Sequence, residues 1–251
     1  MRSNKFLFLA IFSVIAMAFS ACKNDDEQPI PEDKVMVGFE FDYVVDGEAY
    51  DTSKVYTING TAVKFSIANF YVGGITFMSE EGVPTEVTDK YLLVTPEAGM
   101  QEVSELEKGH YHMVRFFIGV DPATNSQSET DFTSRDAADP LALQFPTMHW
   151  SWNTGYKFIR LDGKVDTDAD GIPDAVMSLH LGNDDMLKTL EFVAHKDLDP
   201  GEGDMHFEFD LAKALAGIDL AQDHFTHVDD FPELAATFRD NLANAFTYEH
   251  P

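Results

Sequence analysis

The sequence predicts a mainly β protein: a single antiparallel β-sandwich or barrel with a short C-terminal helical segment. Segments with the apolar alternation of β-strands recur along the chain, and clusters of Gly, Pro, Asn and Asp separate them. A late segment instead carries apolar residues at helical spacing. Many strands followed by one helix are assembled most simply as one domain around a single core.

The strands are predicted from their apolar patterns and from the turn residues between them. They lie, in chain order, at 35–45, 56–58, 62–68, 71–78, 90–95, 109–120, 155–164, 175–181, 190–194 and 205–209, with 155–164 and 175–181 forming a hairpin. Helical segments are predicted at 211–217 and 232–245. In the second of these, Leu234, Phe238 and Leu242 recur every four residues, and Pro232 stands near the start, where proline is favoured.

The N-terminus predicts export and lipid attachment. Arg2 and Lys5 precede the apolar run 6–19, which is too short to span a bilayer comfortably and has the flanks of a signal peptide. Small residues then precede Cys22 in an order that resembles the lipobox of a bacterial lipoprotein. The alternative is an ordinary cleaved signal followed by an unrelated cysteine.

These features predict three segments and a location. The segments are a lipoprotein signal peptide at 1–21, an acidic and proline-containing tether at 22–34 after the lipidated Cys22, and one β domain at 35–251. The protein is expected in the cell envelope, as an outer-membrane lipoprotein that is periplasmic or surface-exposed. Its expected contact with the membrane is the N-terminal lipid.

Composition excludes several classes of function. Cys22 is the single cysteine of the chain, so a domain anchored through it has no thiol for a disulfide, an iron–sulfur cluster or a cysteine nucleophile. The chain has 44 acidic and 17 basic residues, for a net charge of −27. Such a surface repels phosphate backbones, so nucleic acid is not expected as a partner, whereas cations are favoured.

A carboxylate-rich segment predicts a calcium site. The pattern Asp-x-Asp-x-Asp-Gly-x-x-Asp contains Asp166, Asp168, Asp170 and Asp174. Calcium binds six to eight oxygens, and carboxylates at alternate positions with a turning glycine supply them around one point, with the carbonyl of Ile172 as a further ligand. The role expected for this calcium is structural. The alternative is an acidic hairpin tip without a bound ion.

Both tryptophans of the chain lie two residues apart, in a Trp-x-Trp-x-x-Gly-Tyr motif that a His-x-Gly motif follows. The first motif is matched by Trp150, Trp152, Gly155 and Tyr156, and the second by His180 and Gly182. In these motifs the chain resembles the methanobactin-associated copper-binding proteins (MbnP-like), a family common among bacterial lipoproteins. The likeness extends from about residue 35 to the C-terminus and includes the segments 65–72 and 117–121 and Asn125.

The resemblance implies a periplasmic or surface protein that binds copper for acquisition or handling. It also implies that a tryptophan, here Trp150 or Trp152, is oxidised to kynurenine by a partner that resembles a di-haem cytochrome c peroxidase. His180 is then the first copper ligand to consider. The Trp-x-His spacing of some related copper sites is absent here, and His149 directly precedes Trp150 instead.

Imidazoles elsewhere are further candidate copper ligands, since imidazole is a suitable copper donor. His149 lies next to the Trp motif, and His110 and His112 stand at i, i+2 on one face of a predicted strand, where two imidazoles can share a metal. The alternatives are a hydrogen-bonded core histidine for His180 and a solvent-facing strand end for His110 and His112. His195, His224 and His227 are read as surface or loop residues.

Enzyme motifs are absent from the sequence. It contains no Gly-x-Ser-x-Gly elbow, phosphate-binding glycine loop, dinucleotide fingerprint, His-Glu-x-x-His or haem-attachment motif. We therefore expect a binding protein and not an enzyme. The alternative function is a calcium-stabilised surface adhesin or glycan-binding sandwich, in which Trp150 and Trp152 stack on sugar rings.

Overall fold

A computed structural model of the chain describes residues 30–150 and 155–250 and shows two β-sheets packed face to face. The predicted β-sandwich with a C-terminal helix is confirmed, and neither sheet closes into a barrel over the described residues. Across that same part of the chain, every helix is too short or too polar to cross a bilayer.

The elements are numbered in chain order. The strands are β1 Lys34–Val45, β2 Glu48–Ala49, β3 Tyr56–Ile58, β4 Thr61–Ser79, β5 Pro84–Glu86, β6 Leu92–Val94, β7 Gln101–Glu107, β8 Gly109–Ile118, β9 Ile159–Val165, β10 Ala175–Leu181, β11 Lys188–Leu198, β12 Asp204–Asp210, β13 Phe225–His227 and β14 Phe246–Glu249. The helices are α1 Pro122–Asn125, α2 Glu129–Thr133, α3 Leu211–Ala214 and α4 Pro232–Ala245, with a 3-10 turn at Asp184–Met186.

The smaller sheet has the strand order β14-β12-β1-β2, with β7 also paired to β1. The larger sheet has the order β11-β8-β4-β9-β10-β13, and the short strands β3, β5 and β6 pair with β4. Most pairings are antiparallel, as predicted. Two are parallel, β1 with β12 and β10 with β13, and the second of these builds the site described below.

Aromatic side chains fill the space between the sheets. Phe41 of β1 stacks on Phe207 of β12, with ring centroids 5.1 Å apart and an interplanar angle of 20°. Its edges meet Phe70 and Phe116 of the larger sheet at 5.4 and 5.9 Å. Each fully buried phenylalanine contributes about 1.5–3 kcal/mol through apolar burial. This core stabilises the sandwich without a disulfide.

The sequence predicts two strands at 62–68 and 71–78, and this is wrong, because the structure has the single strand β4 there. It runs unbroken as Thr61–Ser79, with irregular register opposite β9 between Phe65 and Ile67. Asn69, which suggested a turn in the sequence, lies inside the strand and pairs with Arg160. The pairing of β4 with strands on both sides outweighs the low strand preference of asparagine.

Several short elements were not predicted, because their sequences carry little apolar periodicity. In β7 only Val103 and Leu106 are buried, and the strands β13 and β14 have three and four residues. The first late helix ends at Ala214 and not at 217, whereas α4 has the predicted bounds Pro232–Ala245.

Asp210 joins three elements at the end of β12. Its buried carboxylate Oδ1 accepts hydrogen bonds from the backbone amides of Asp46, Ala212 and Lys213 at 3.0, 2.9 and 3.3 Å. The last two are the free amides at the start of α3, so Asp210 acts as its N-cap. This bond set fixes the chain as it leaves the smaller sheet toward β13 and α4.

Candidate metal centre

Two histidines face each other at the edge of the larger sheet. His180 is the penultimate residue of β10 and His227 ends β13, and the parallel pairing aligns them directly in register. Their rings stack with centroids 4.9 Å apart and an interplanar angle of 17°. Residues paired in register on neighbouring strands point to the same face, which explains the contact.

Asp162 of β9 orients the ring of His180. The Nε2 atom of His180 lies 2.7 Å from Oδ1 of Asp162 and 3.1 Å from Oγ of Ser178. Because the carboxylate only accepts, Nε2 carries the proton and Nδ1 keeps its lone pair in the neutral ring. That Nδ1 is buried and has no hydrogen-bond partner among the described residues. A buried nitrogen with a free lone pair is suited to a metal ion.

The indole of Trp150 completes the group. Its ring centroid lies 5.5 Å from that of His180 and 5.2 Å from that of His227, and its Nε1–H donates to the carbonyl oxygen of Gly182 at 2.9 Å. The ammonium of Lys157 lies 5.3 Å from the centre of the same ring. Trp150, His180 and His227 are called the Trp150 cluster below.

Burial and neighbouring charges shift the pKa values of the titratable side chains at the Trp150 cluster. Burial alone would raise the pKa of Asp162, but the hydrogen bond and charge of His180, together with the Arg160 guanidinium, lower that pKa to about 2. Burial lowers the pKa of His180, which the bond to Asp162 opposes without reversing. Burial, with the charge of Arg160, also lowers the pKa of Lys157 to about 8. The imidazole of His180 is therefore neutral at neutral pH, as a metal ligand must be.

The glycines of both motifs are explained by close packing around the Trp150 cluster. A β-carbon on Gly182 would clash with the backbone oxygen of Tyr156 and with Nε1 of Trp150. Gly155 has φ +74°, and a β-carbon there would clash with Asn125. Oδ1 of Asn125 accepts a hydrogen bond from the amide of Tyr156 at 2.9 Å. Trp150 and Tyr156 of the first motif thus pack against Gly182 of the second.

Comparison with known proteins shows the family of this chain. A family model described as MbnP matches residues 34–230, most of the chain. The chain belongs to the MbnP family. The predicted resemblance is confirmed, and membership of the family associates the chain with copper handling.

A solved structure shares the fold of this MbnP family member. MbnP from Methylosinus trichosporium superposes with a TM-score of 0.55 and 18% sequence identity, over 75% of this chain and 80% of that chain. At this identity the likeness shows the fold. A search of curated proteins found no significant match.

His149, a predicted candidate ligand, lies in a different environment within the MbnP fold. Its ring is packed between Phe132 and Tyr156, with centroids 4.6 and 4.4 Å away. Burial, with the charges of Lys157 and Arg135, lowers the pKa of His149 to about 4. Neither ring nitrogen has a hydrogen-bond partner among the described residues. His149 is therefore a buried side chain that is neutral at neutral pH and packs on aromatic rings.

The candidate pair His110 and His112 is held by two different neighbours. Nδ1 of His110 lies 2.7 Å from Oδ1 of Asp197 on β11, whereas Nδ1 of His112 lies 2.6 Å from the backbone oxygen of Ser79 on β4. The second ring nitrogen of His110 faces His195 and not His112. The strand therefore presents His110 to β11 and His112 to β4.

The predicted calcium loop brings three carboxylates together. One oxygen each from Asp166, Asp168 and Asp170 lies within 4.8 Å of the others. The carboxylate of Asp166 accepts hydrogen bonds from the amides of Asp168, Ala169 and Gly171 at 3.2, 2.8 and 2.7 Å, which curls the loop. Asp174 and Ile172, also predicted, are outside this group of three.

Sequence reasoning missed His227, the partner of His180. The sequence predicts a surface residue there, because β13 has three residues, too few to show a strand period. The signal in the sequence is the pair Phe225-Thr226, two residue types favoured in strands. Trp152 and Cys22, two predicted functional residues, lie outside the described residues.

The packing at Gly182 generates a stability prediction. Gly182→Ala should lower the free energy of unfolding by about 1–3 kcal/mol, because the methyl group must displace either the Tyr156 backbone or the Trp150 ring. It should also change the near-ultraviolet circular dichroism of the indole. Chemical denaturation of the metal-free protein measures the first effect.

The matched control for this variant is Val176→Ala, an exposed change on the same strand β10. It should shift the free energy of unfolding by less than about 0.5 kcal/mol. Equal stability of Gly182→Ala and the parent protein would show that the indole is not packed against this glycine.

Proposed function

We propose that this chain is a lipid-anchored copper-binding protein of the cell envelope whose metal site is the Trp150 cluster. The observation that carries the proposal is the buried, unpartnered Nδ1 of His180, beside the stacked ring of His227. Asp162 on the opposite nitrogen is the carboxylate–histidine arrangement that orients metal ligands. Imidazole suits copper, and membership of the MbnP family supports that metal.

A third donor beside the two imidazoles would complete a three- or four-coordinate copper site, a geometry in which copper commonly adds a further ligand to histidines. Among the described residues, Trp150 contacts both histidines. Oxidation of its indole to kynurenine would convert a nitrogen that can only donate a hydrogen bond into an aryl amine that can bind a metal. We propose that Trp150 is the modified residue.

Hydrogen peroxide is the oxidant proposed for the conversion of Trp150 to kynurenine, and with it the atoms and electrons of the reaction balance. Cleavage of the indole C2–C3 bond takes up two oxygen atoms from two peroxide molecules, which are reduced to water and leave N-formylkynurenine. Hydrolysis of the formyl group then releases formate and leaves the amine. The chain has no haem-attachment motif, so the oxidising equivalents come from a partner, proposed to be a di-haem protein that resembles cytochrome c peroxidase.

The remaining parts of the proposal concern location and role. The sequence around Cys22 supports attachment through an N-terminal lipid, and the net charge of −27 suits the collection of cations outside the cytoplasm. The protein would bind and deliver copper and not act as an enzyme. In the glycan-binding alternative at least one indole is exposed. His180, His227 and Lys157 contact Trp150, and Trp152 lies outside the described residues.

The proposal predicts which side chains retain copper. His180→Ala and His227→Ala should each weaken copper binding by more than about tenfold, and Asp162→Asn should weaken it by about 10–100-fold by freeing the His180 ring. Copper per chain after desalting, and affinity by competition with a chelator, measure the loss.

His206→Ala is the matched control for these variants. His206 pairs with Glu40 at 3.3 Å on the smaller sheet, so its removal should leave copper retention unchanged. Parental copper affinity in both His180→Ala and His227→Ala would exclude the Trp150 cluster as the site.

We also propose that the loop 166–174 binds calcium as a structural ion. Its support is the Asp-x-Asp-x-Asp-Gly-x-x-Asp pattern together with the three carboxylates within 4.8 Å. The loop joins β9, which carries Asp162, to β10, which carries His180. An ion at this point would stiffen the hairpin on which the Trp150 cluster depends.

Calcium should therefore raise the stability of the protein. At a calcium concentration 100-fold above the dissociation constant, the expected gain in the free energy of unfolding is about 2.7 kcal/mol. The double change Asp168→Asn and Asp170→Asn should abolish that gain, whereas Asp42→Asn, an exposed change on β1, should preserve it. Thermal unfolding with calcium and with chelator measures the difference, and no shift in the parent protein would refute the calcium site.

A further inference from the structure

A second histidine pair lies near the opposite edge of the larger sheet. His110 at the start of β8 and His195 on β11 direct ring nitrogens at each other, with Nε2 of His110 and Nδ1 of His195 separated by 3.4 Å. Strands β4 and β9 lie between β8 and β10. Three strand spacings amount to about 14 Å, so this pair is separate from the Trp150 cluster.

The separation of the two nitrogens fits a shared metal ion better than a hydrogen bond. A hydrogen bond from a ring N–H is normally about 2.7–3.2 Å long. Two nitrogens bound to one tetrahedral ion at about 2.0–2.1 Å are about 3.3–3.4 Å apart. The observed 3.4 Å between the two nitrogens therefore matches the spacing that a tetrahedral ion requires.

Asp197 gives His110 the tautomer that a metal ligand needs. Its Oδ1 lies 2.7 Å from Nδ1 of His110, so that nitrogen carries the proton and Nε2 presents a lone pair toward His195. A carboxylate on the outer nitrogen of a ligating histidine is the usual arrangement in metal sites. His195 and Asp197 are exposed, so water can reach the remaining coordination positions.

A β-bulge brings His195 into this position. The register of β11 against β8 shifts between Val193 and Lys196, so that Ala194 and His195 together stand opposite His112. His195 adopts φ +44°, a left-handed conformation that is uncommon for a residue other than glycine. Bulges redirect side chains, and this one turns the His195 ring toward His110.

We propose that His110 and His195 form a second, solvent-exposed site for a borderline divalent cation such as Zn²⁺ or Cu²⁺, with Asp197 as a positioning residue. Two imidazoles and water suit these ions, and the acidic surface of the chain favours their approach. The site does not depend on Trp150, on its oxidation or on a partner protein.

The test is a calorimetric titration of the metal-free full-length mature chain with Zn²⁺, with calcium present to occupy the acidic loop. His195→Asn and His110→Asn should each weaken one Zn²⁺ site by more than about tenfold, and Asp197→Asn should weaken it by about 10–100-fold. Asparagine is chosen because it tolerates the left-handed backbone of residue 195.

His112→Asn is the matched control, since His112 is two residues away on β8 but is bonded to Ser79 and not to His195. It should titrate like the parent. A parental Zn²⁺ isotherm for His195→Asn, an equal loss in His112→Asn, or no Zn²⁺ binding by the parent would overturn the proposal. Copper retention by the His195→Asn protein is measured separately. It reports on the Trp150 cluster, whereas the Zn²⁺ isotherm reports on the pair His110 and His195.

Discussion

The parallel pairing of β10 with β13 is the constraint on which the candidate metal centre depends. It places His227 beside His180, although 47 residues separate them in the chain. A strand of three residues has little stability of its own. Here it is held by the amide of Ser178, which donates to the carbonyl of His224 at 2.9 Å, by the buried Thr226, and by α4, which packs against both strands. The antiparallel core thus serves as a rigid support for one short parallel edge.

At that edge, the hydrogen bonds of Asp162 and Arg160 leave Nδ1 of His180 without a partner among the described residues. Asp162 binds one side of the His180 ring and Arg160 binds Asp162, at 2.7 and 2.6 Å, which leaves Nδ1 buried and unpartnered. An unsatisfied buried nitrogen costs about 1–3 kcal/mol unless a ligand uses it. Gly182 admits the indole of Trp150 close enough to contact both imidazoles. The packing at Gly182 therefore brings the Trp150 indole to the two stacked imidazoles.

The sequence predicted those features of the fold that depend on residues close together in the chain. Alternation and helical spacing indicated the sandwich and the bounds of α4, and the motif pair indicated the family. They could not predict pairings between distant segments. Asn69 suggested a break inside the single strand β4, His227 lay on a strand too short to show a period, and His195 reached His110 through a bulge. Each of these depends on a neighbouring strand that is remote in the sequence. The His-x-Gly motif drew attention to His180 but gave no sign of the ring of His227 stacked on it.

The most direct test of the copper account is peptide mass spectrometry of the protein isolated from its own cells, with bound metals quantified on the same sample. For the parent chain the account predicts kynurenine at position 150 and stoichiometric copper. In a Trp150→Phe protein it predicts that Trp152 remains an unmodified tryptophan. Unmodified Trp150 in a protein that carries no copper would contradict it.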